Sequence, residues 1–429
     1  MLTEGNSRDK SRRFFYGYIV AASSFLIMAL YGGLIYAIGV FFLPVAEEFG
    51  SSRATLSIAL SLSSFVMGIY QLLAGEVNDR WGPRLVLSAC GVLLFAGYFL
   101  MSRIGAVWHI IVIQMLLTTA GMSGLVPMRS TIVRWFVKRR GMMSGIVTSG
   151  IGLGGMIMPP LAAWLITSYG WRTSYAVIGI ASLVMVIGFA QFLRGDPAQM
   201  GLLPDGAPAE PKADIPRPKP AVADFSLKRA VRTNQFWLIT IMWFAVNVGY
   251  RAVMVHIVPN AIDLNITPAV AASILTVIGA ATMTGRVAMG SLSDKIGTKA
   301  AFIISNALMT VALFLLVGAR ELWLLYIVAA VFGFANGGGV SLLAPLVAAL
   351  YGLKSHGLIL ASIYYGMYIG NFVGPVMAGR LFDVTGNYRL AFLITAILSL
   401  TSLILMALVK MPGRQKAADS QETVPTVTR

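Results

Sequence analysis

Three arginines stand inside long apolar runs: Arg129, Arg251 and Arg286. A charge in such a run is costly in hydrocarbon, so each is a functional candidate. A guanidinium keeps its proton at every accessible pH and can grip a carboxylate through two parallel hydrogen bonds. The chemistry on offer is therefore anion binding. A comparison inside the chain separates the three. Residues 75–84 (GEVNDRWGPR) and 290–299 (GSLSDKIGTK) both fit G-x-x-x-D-[RK]-x-G-x-[RK], at an offset of 215. At that offset Arg286 answers to Gln71, a charge in one half facing a neutral amide in the other. Structural packing should serve both halves alike, so the broken symmetry points to a ligand. Arg251 competes, being nearer the bilayer centre by residue count, with Asn247 one helical turn before it. Arg129 lies five residues before Arg134 and is expected to snorkel to the surface.

The elements that position these residues follow from composition. The chain has 429 residues, 57% hydrophobic and only 12% charged, against about 25% charged in globular chains. Its mean hydropathy is +0.78. Apolar stretches fall at 16–44, 54–74, 85–103, 108–133, 142–166 and 173–194, then at 236–261, 269–290, 300–318, 323–350, 358–380 and 390–410. Each is long enough to cross about 30 Å of hydrocarbon as a helix. The first runs for nearly thirty residues, too long for a cleavable signal peptide. The expected fold is an all-α membrane protein with twelve transmembrane helices in two pseudo-symmetric six-helix bundles, 1–195 and 235–411. A linker, 196–234, joins them, and 412–429 forms a tail. Seven prolines (197, 204, 208, 211, 216, 218 and 220) favour an extended linker. Its second part, from Phe225, mixes apolar and basic residues and is expected to lie on the membrane surface as a short helix.

The net charge of +16 reports topology, not nucleic-acid binding, which needs a basic soluble face. With the N-terminus inside, 24 of the 33 Lys and Arg fall in inner segments and six in outer loops. By the positive-inside rule both termini and the linker belong in the cytoplasm. Cys90 is the single cysteine, so no disulfide scaffold is available.

The paired loop motif resembles the signature of the major facilitator superfamily. Narrower features are similar to the monocarboxylate transporter branch and to the bacterial oxalate–formate exchangers. They are Arg13-Phe-Phe-Tyr-Gly17-Tyr before the first helix, and Arg134-Trp-Phe-Val-Lys138-Arg139-Arg140-Gly141-Met-Met-Ser-Gly145-Ile entering the fifth, with glycines at 150, 152, 154 and 155. Further on stand Gly201-Leu-Leu-Pro204-Asp205-Gly206, His256-Ile-Val-Pro259-Asn-Ala-Ile-Asp263 and Thr284-Gly285-Arg286. The resemblance implies a carrier that works by alternating access between the halves; the inner cell membrane is its expected location, and a monomer is expected because nothing in the sequence demands an oligomer. It also implies that Arg286 binds the substrate carboxylate. Asp79 and Asp294, each approaching the N-terminus of a facing helix, are expected to latch the cytoplasmic side, with Arg80, Arg84, Lys295 and Lys299 as their cations.

One cation among neutral partners favours a small monocarboxylate of the lactate or pyruvate type. The oxalate-type relatives have a lysine in the eleventh helix, and none stands between Tyr364 and Gly374. In that helix Gly366, Gly370 and Gly374 form a packing stripe, while Tyr364, Tyr368 and Asn371 form another stripe that could face a cavity. With Tyr36, Gln71 and Asn247 they complete the candidate binding set. Proton-coupled animal relatives have a lysine late in the first helix and an aspartate one turn before the arginine; Tyr36 and Thr282 stand there instead. No Asp or Glu falls mid-span, which leaves His256, near the outer end of its helix, as the candidate for coupling or gating, alongside Arg251. Proton symport is thus implied by the resemblance alone. An organic-anion exchanger of the oxalate or formate type, or a facilitator for another carboxylate, is the alternative within the class. A membrane enzyme would need a catalytic cluster, a metal or a cofactor, and neither one cysteine nor three scattered histidines suggests it. A non-transporting sensor would need a signalling domain, for which linker and tail are too short and too polar.

Overall fold

The computed structural model describes residues 15–49, 53–206 and 224–411. The expected tail 412–429, residues 207–223 of the linker and the start of the stretch from Arg13 lie outside the described residues. Helices α1 (Gly17–Phe49), α2 (Arg53–Trp81), α3 (Pro83–Met101) and α4 (Val107–Trp135) come first. A continuous stretch, Arg140–Ala190, follows and is broken at Gly170, where φ 78° and ψ 157° suit glycine alone. Its parts are α5 (140–169) and α6 (171–190). The second half holds α7 (Asn234–Asp263), α8 (Pro268–Ile296), α9 (Thr298–Gly318), α10 (Leu322–Tyr351), α11 (His356–Thr385) and α12 (Arg389–Leu408). Ten stretches among the described residues are long and apolar enough to cross a membrane. Gly170 divides one of them in two. The twelfth span is α2, made more polar by four serines together with Glu76, Asp79 and Arg80.

The duplicated motif forms the turns between α2 and α3 and between α8 and α9. Its second glycine adopts a left-handed backbone in both copies, φ 84° at Gly82 and φ 90° at Gly297. A side chain there would be strained, which accounts for the glycine at that place in the pattern. Helix α4 is irregular: Gln114–Thr118 forms a π turn and Met122–Gly124 a 3-10 turn.

Between lipid-embedded helices there is little hydrophobic drive, so small residues that let backbones touch supply the packing. The glycine run of α5 serves this purpose: a Cβ on Gly150 would come 2.5 Å from the Phe25 carbonyl oxygen of α1. In the second half the Gly366, Gly370 and Gly374 stripe lies on α7, with a Cβ on Gly370 only 2.7 Å from the Phe244 oxygen. The two halves meet chiefly through α2 with α11 and α5 with α8.

The face that carries the motif turns also carries the linker. Asp205 accepts from the Val137 and Lys138 N–H groups at 3.2 and 2.9 Å, and Asp224 accepts from those of Leu353 and Lys354 at 3.0 and 3.2 Å. One carboxylate from each end of the linker thus holds the equivalent loop of each half. The segment after Phe225 does form a short helix, Leu227–Ala230, capped by Ser226.

Candidate functional site

Arg286 lies where α8 crosses α5. Glycine permits the crossing: a Cβ on Gly145 would come 2.8 Å from the Arg286 carbonyl carbon, and Gly285 on the neighbouring face meets α10 at Phe334. The arginine is only 7% exposed. One guanidinium nitrogen, Nη1, donates to the Thr148 carbonyl oxygen, which leaves Nε buried with no partner. No ion pair among the described residues includes Arg286, and the charges and phenols in its electrostatic range are Arg129, Tyr36, Tyr250 and Tyr364. A permanently charged group is therefore held in the interior with no carboxylate to balance it.

Arg129 is placed differently from the sequence expectation. Its guanidinium lies over the Tyr364 ring, 4.7 Å from the centroid, and its Nε is buried without a partner. With Ser144, Thr148 and Ser341 it lines a water-sized gap between α4, α5 and α10. The physical reason lies in side-chain direction. Side chains lean toward the N-terminus of their helix, and the C-terminal end of α4 is the linker face. Arg129 therefore reaches back toward the middle of the bundle. The symmetry argument that singled out Arg286 was available here too: the residue 215 positions later is Ala344, neutral, and it lines the same gap.

The other candidates divide. Tyr364 is fully buried, its hydroxyl without a partner and its ring edge-on to Trp243. Tyr368 is buried near Gly68 of α2, at the junction between halves. Gln71 is 1% exposed, and neither amide atom has a hydrogen bond. The Asn371 oxygen is likewise orphaned. Tyr36 is 49% exposed, packs beside Gly155 and lies in electrostatic range of Arg286. Asn247 is buried and its amide donates to the Trp243 carbonyl oxygen of its own helix at 2.7 Å. Arg251 is exposed. His256 has both ring nitrogens engaged, Nδ1 with the Tyr388 hydroxyl at 3.3 Å and Nε2 with the Pro375 carbonyl at 3.1 Å. Since a carbonyl only accepts, Nε2 donates to Pro375, while Nδ1 shares its hydrogen bond with the Tyr388 hydroxyl. These bonds tie α7 to α11 and to the turn before α12, all within one half.

At the linker face, Asp79 accepts from the Gly357 and Leu358 N–H groups at 3.1 and 2.9 Å, in the first turn of α11. Asp294 accepts from Gly141 and Met142 at 2.7 and 2.9 Å, in the first turn of α5. The basic residues of the motif do not complete these contacts. Arg80 pairs with Glu76 at 2.6 Å, Arg84 donates to Gln191 at 2.7 Å, and Lys299 donates to the Ala407 carbonyl at 2.8 Å. Lys295 is exposed and in no ion pair among the described residues. Neighbours on a helix point about 100° apart, so Arg80 and Lys295 are turned away from the carboxylates beside them. The cation at Asp79 is Arg134, 2.7 Å away, which also donates to the Leu353 carbonyl at 3.0 Å.

The chain matches the family described as Major Facilitator Superfamily over residues 24–260 and 248–428. The Rattus norvegicus protein named monocarboxylate transporter 13 is 27% identical over 382 residues, 88% of this chain and 85% of its own length. An Escherichia coli protein, described as the uncharacterized MFS-type transporter YhjX, is 25% identical over 79% of this chain and 82% of its own. Two solved structures share the fold. The E. coli fucose:proton symporter FucP superposes with a TM-score of 0.70 at 13% identity, covering 93% of this chain and 100% of its own. The proton:xylose symporter XylE superposes with 0.71 at 16%, covering 93% and 97%.

Proposed function

The chain belongs to the major facilitator superfamily, and from that membership we propose that it is a secondary transporter of small carboxylate anions of the lactate or pyruvate type. The observation that carries this reading is Arg286, buried at the crossing of α5 and α8 with no acidic partner. A substrate carboxylate supplies the missing anion and takes the free N–H donors through a bidentate contact. Tyr364, Tyr368, Gln71 and Asn371 offer neutral hydrogen bonds around it, and Tyr36 closes the other side. The resemblance of relatives named monocarboxylate transporters agrees with this chemistry.

The bias of Lys and Arg puts the linker face in the cytoplasm of a cell whose inner membrane holds the protein. Asp79 and Asp294 then latch the cytoplasmic side, and the halves rock about the bound anion. The carrier works as a monomer. Substrate moves together with a proton, as the names of the structural neighbours say of those proteins, and His256, near the outer end of α7, is the candidate for coupling or gating. Exchange of one organic anion for another is the second reading. It is favoured by the absence of any Asp or Glu in the middle of a span.

The test is labelled L-lactate uptake into proteoliposomes, with and without an inward proton gradient, for wild type, Arg286→Gln and Arg251→Gln. Uptake lost with Arg286→Gln and kept with Arg251→Gln supports the site. Uptake that survives Arg286→Gln overturns it. Dependence on the gradient supports symport, whereas uptake driven only by lactate loaded inside supports exchange.

A further inference from the structure

Two positive charges lie at the centre of this protein, although the sequence pattern singles out one. Arg129 reaches back from the lower third of α4 and places its guanidinium on Tyr364. Arg286 lies within electrostatic range of the same phenol and of Arg129 itself. Neither forms an ion pair among the described residues. Arg286 spends a single donor on the Thr148 carbonyl oxygen; Arg129 makes no hydrogen bond with the described residues and has only the ring beneath it.

Like charges brought together in a medium of low dielectric repel, and each also loses its hydration. A protein that needed Arg129 only for packing could place any long apolar side chain on Tyr364 and avoid both costs. The lining of the adjoining gap is not that of a simple packing site either. Ser144, Thr148 and Ser341 line it beside Arg129; the Thr148 and Ser341 hydroxyls donate to carbonyls of their own helices, and the Ser144 hydroxyl is buried without a partner. A monoanion at Arg286 balances one of the two guanidiniums and leaves the other uncompensated. A dianion balances both. Because Arg286 donates to Thr148, which lines the same gap as Arg129, the two negative ends must be near each other.

We propose that Arg129 is a second anion-binding residue of the central site, and that the carrier accepts a short dicarboxylate held between Arg129 and Arg286. This rests on the reading that Arg286 binds a carboxylate. Arg286 takes one carboxylate and Arg129 the other, with the unpartnered hydroxyl of Ser144 donating to the second. Selectivity between mono- and dicarboxylates then depends on Arg129, a residue without a charged counterpart in the second half.

The experiment uses the full chain in proteoliposomes. It measures how strongly malonate and succinate compete with labelled L-lactate, relative to acetate, and how fast labelled malonate enters. The readout for each variant is the ratio of dicarboxylate to monocarboxylate, so a general loss of activity cancels. Wild type is expected to prefer a dicarboxylate over acetate by at least tenfold. Arg129→Gln is expected to lower that ratio by tenfold or more, and Arg129→Lys, which keeps the charge, to restore part of it. A ratio unchanged within twofold in Arg129→Gln overturns the proposal, as does sulfate competing as well as malonate, since the site would then read charge alone. Should Arg129→Gln not fold, malonate-dependent thermal stabilisation of purified Arg129→Lys decides: a shift equal to wild type speaks against the proposal and a reduced shift for it. Lactate uptake that persists in Arg286→Gln defeats the underlying reading of the site instead, and the two failures are told apart by which arginine leaves transport unaltered.

Discussion

Asp79 and Asp294 stand 215 positions apart and perform the same contact in opposite directions: each caps the first turn of a helix in the other half. A carboxylate at a helix N-terminus satisfies backbone donors that have no partner inside the helix and meets the positive end of its dipole. The two caps work only while the halves are closed on the linker face. Removing one costs closure about 0.5–2 kcal/mol, roughly a two- to thirtyfold change in population. Asp79→Ala and Asp294→Ala are therefore each expected to speed maleimide labelling of a Ser144→Cys reporter from that face. The native Cys90 is buried and stays silent. Unchanged labelling in both variants would remove the caps from any role in closure.

The Asp79–Arg134 pair makes the two caps unequal. Its side chains are 9% and 13% exposed, so removing one partner strands a buried charge. Arg134→Gln should cost about 3–5 kcal/mol. Adding Asp79→Asn to that variant should recover most of the loss, because the stranded charge goes with it. Thermal melting of the purified protein checks this. Single losses that simply add in the double variant would contradict it.

Gly170 keeps α5 and α6 as separate spans. Alanine there must adopt φ 78°, at a cost of about 1–3 kcal/mol. Gly170→Ala is expected to lower the melting temperature clearly. Gly105→Ala, at a glycine with ordinary φ and nothing within 4 Å of its Cβ, serves as the control and should not.

Arg286→Lys keeps the charge but gives up the planar fork. If the substrate is held by a bidentate contact, the lysine variant should lose at least tenfold in apparent substrate affinity while still folding. Transport kinetics at wild-type level would mean that a point charge suffices.

Glu48, at the end of α1, is hydrogen-bonded by Arg172 at 2.5 Å and by Trp171 at 2.8 Å, and the Arg172 contact holds its carboxyl below the usual carboxylate range. A depressed folded value means stability that is present above the unfolded pKa and lost as pH falls through the folded one. The wild-type melting temperature should accordingly fall, relative to that of Glu48→Gln, as the buffer is taken below the ordinary carboxylate range. Parallel curves for the two proteins would argue that the contact contributes nothing.

The helices, the duplication and the presence of an unpaired charge at Arg286 inside a span were legible in the sequence, because apolar length, an internal offset and a broken symmetry are properties of residue order. What residue order conceals is direction. Arg129 was read as a surface residue from its distance to the helix end, yet a side chain on α4 leans away from that end. Arg80 and Lys299 carry the right charge at the right spacing but face elsewhere, while the cation that reaches Asp79, Arg134, belongs to a different helix. Linker carboxylates Asp205 and Asp224 share no motif, and their equivalent work on the two loops is visible only in three dimensions.

The π turn at Gln114–Thr118 carries a consequence for insertions and deletions. Such a turn holds one residue more than an α-helical turn would, and it is what a single inserted residue leaves behind in a helix. The far end of α4 is pinned by the Trp135 ring, which donates to the Arg194 carbonyl at 2.7 Å. Deleting one residue from 114–118 would thus close the bulge into an ordinary α turn, with Arg129 and the outer part of α4 each keeping the face it shows now. At this point of the helix a family of such proteins can gain or lose one codon with the inner arginine undisturbed.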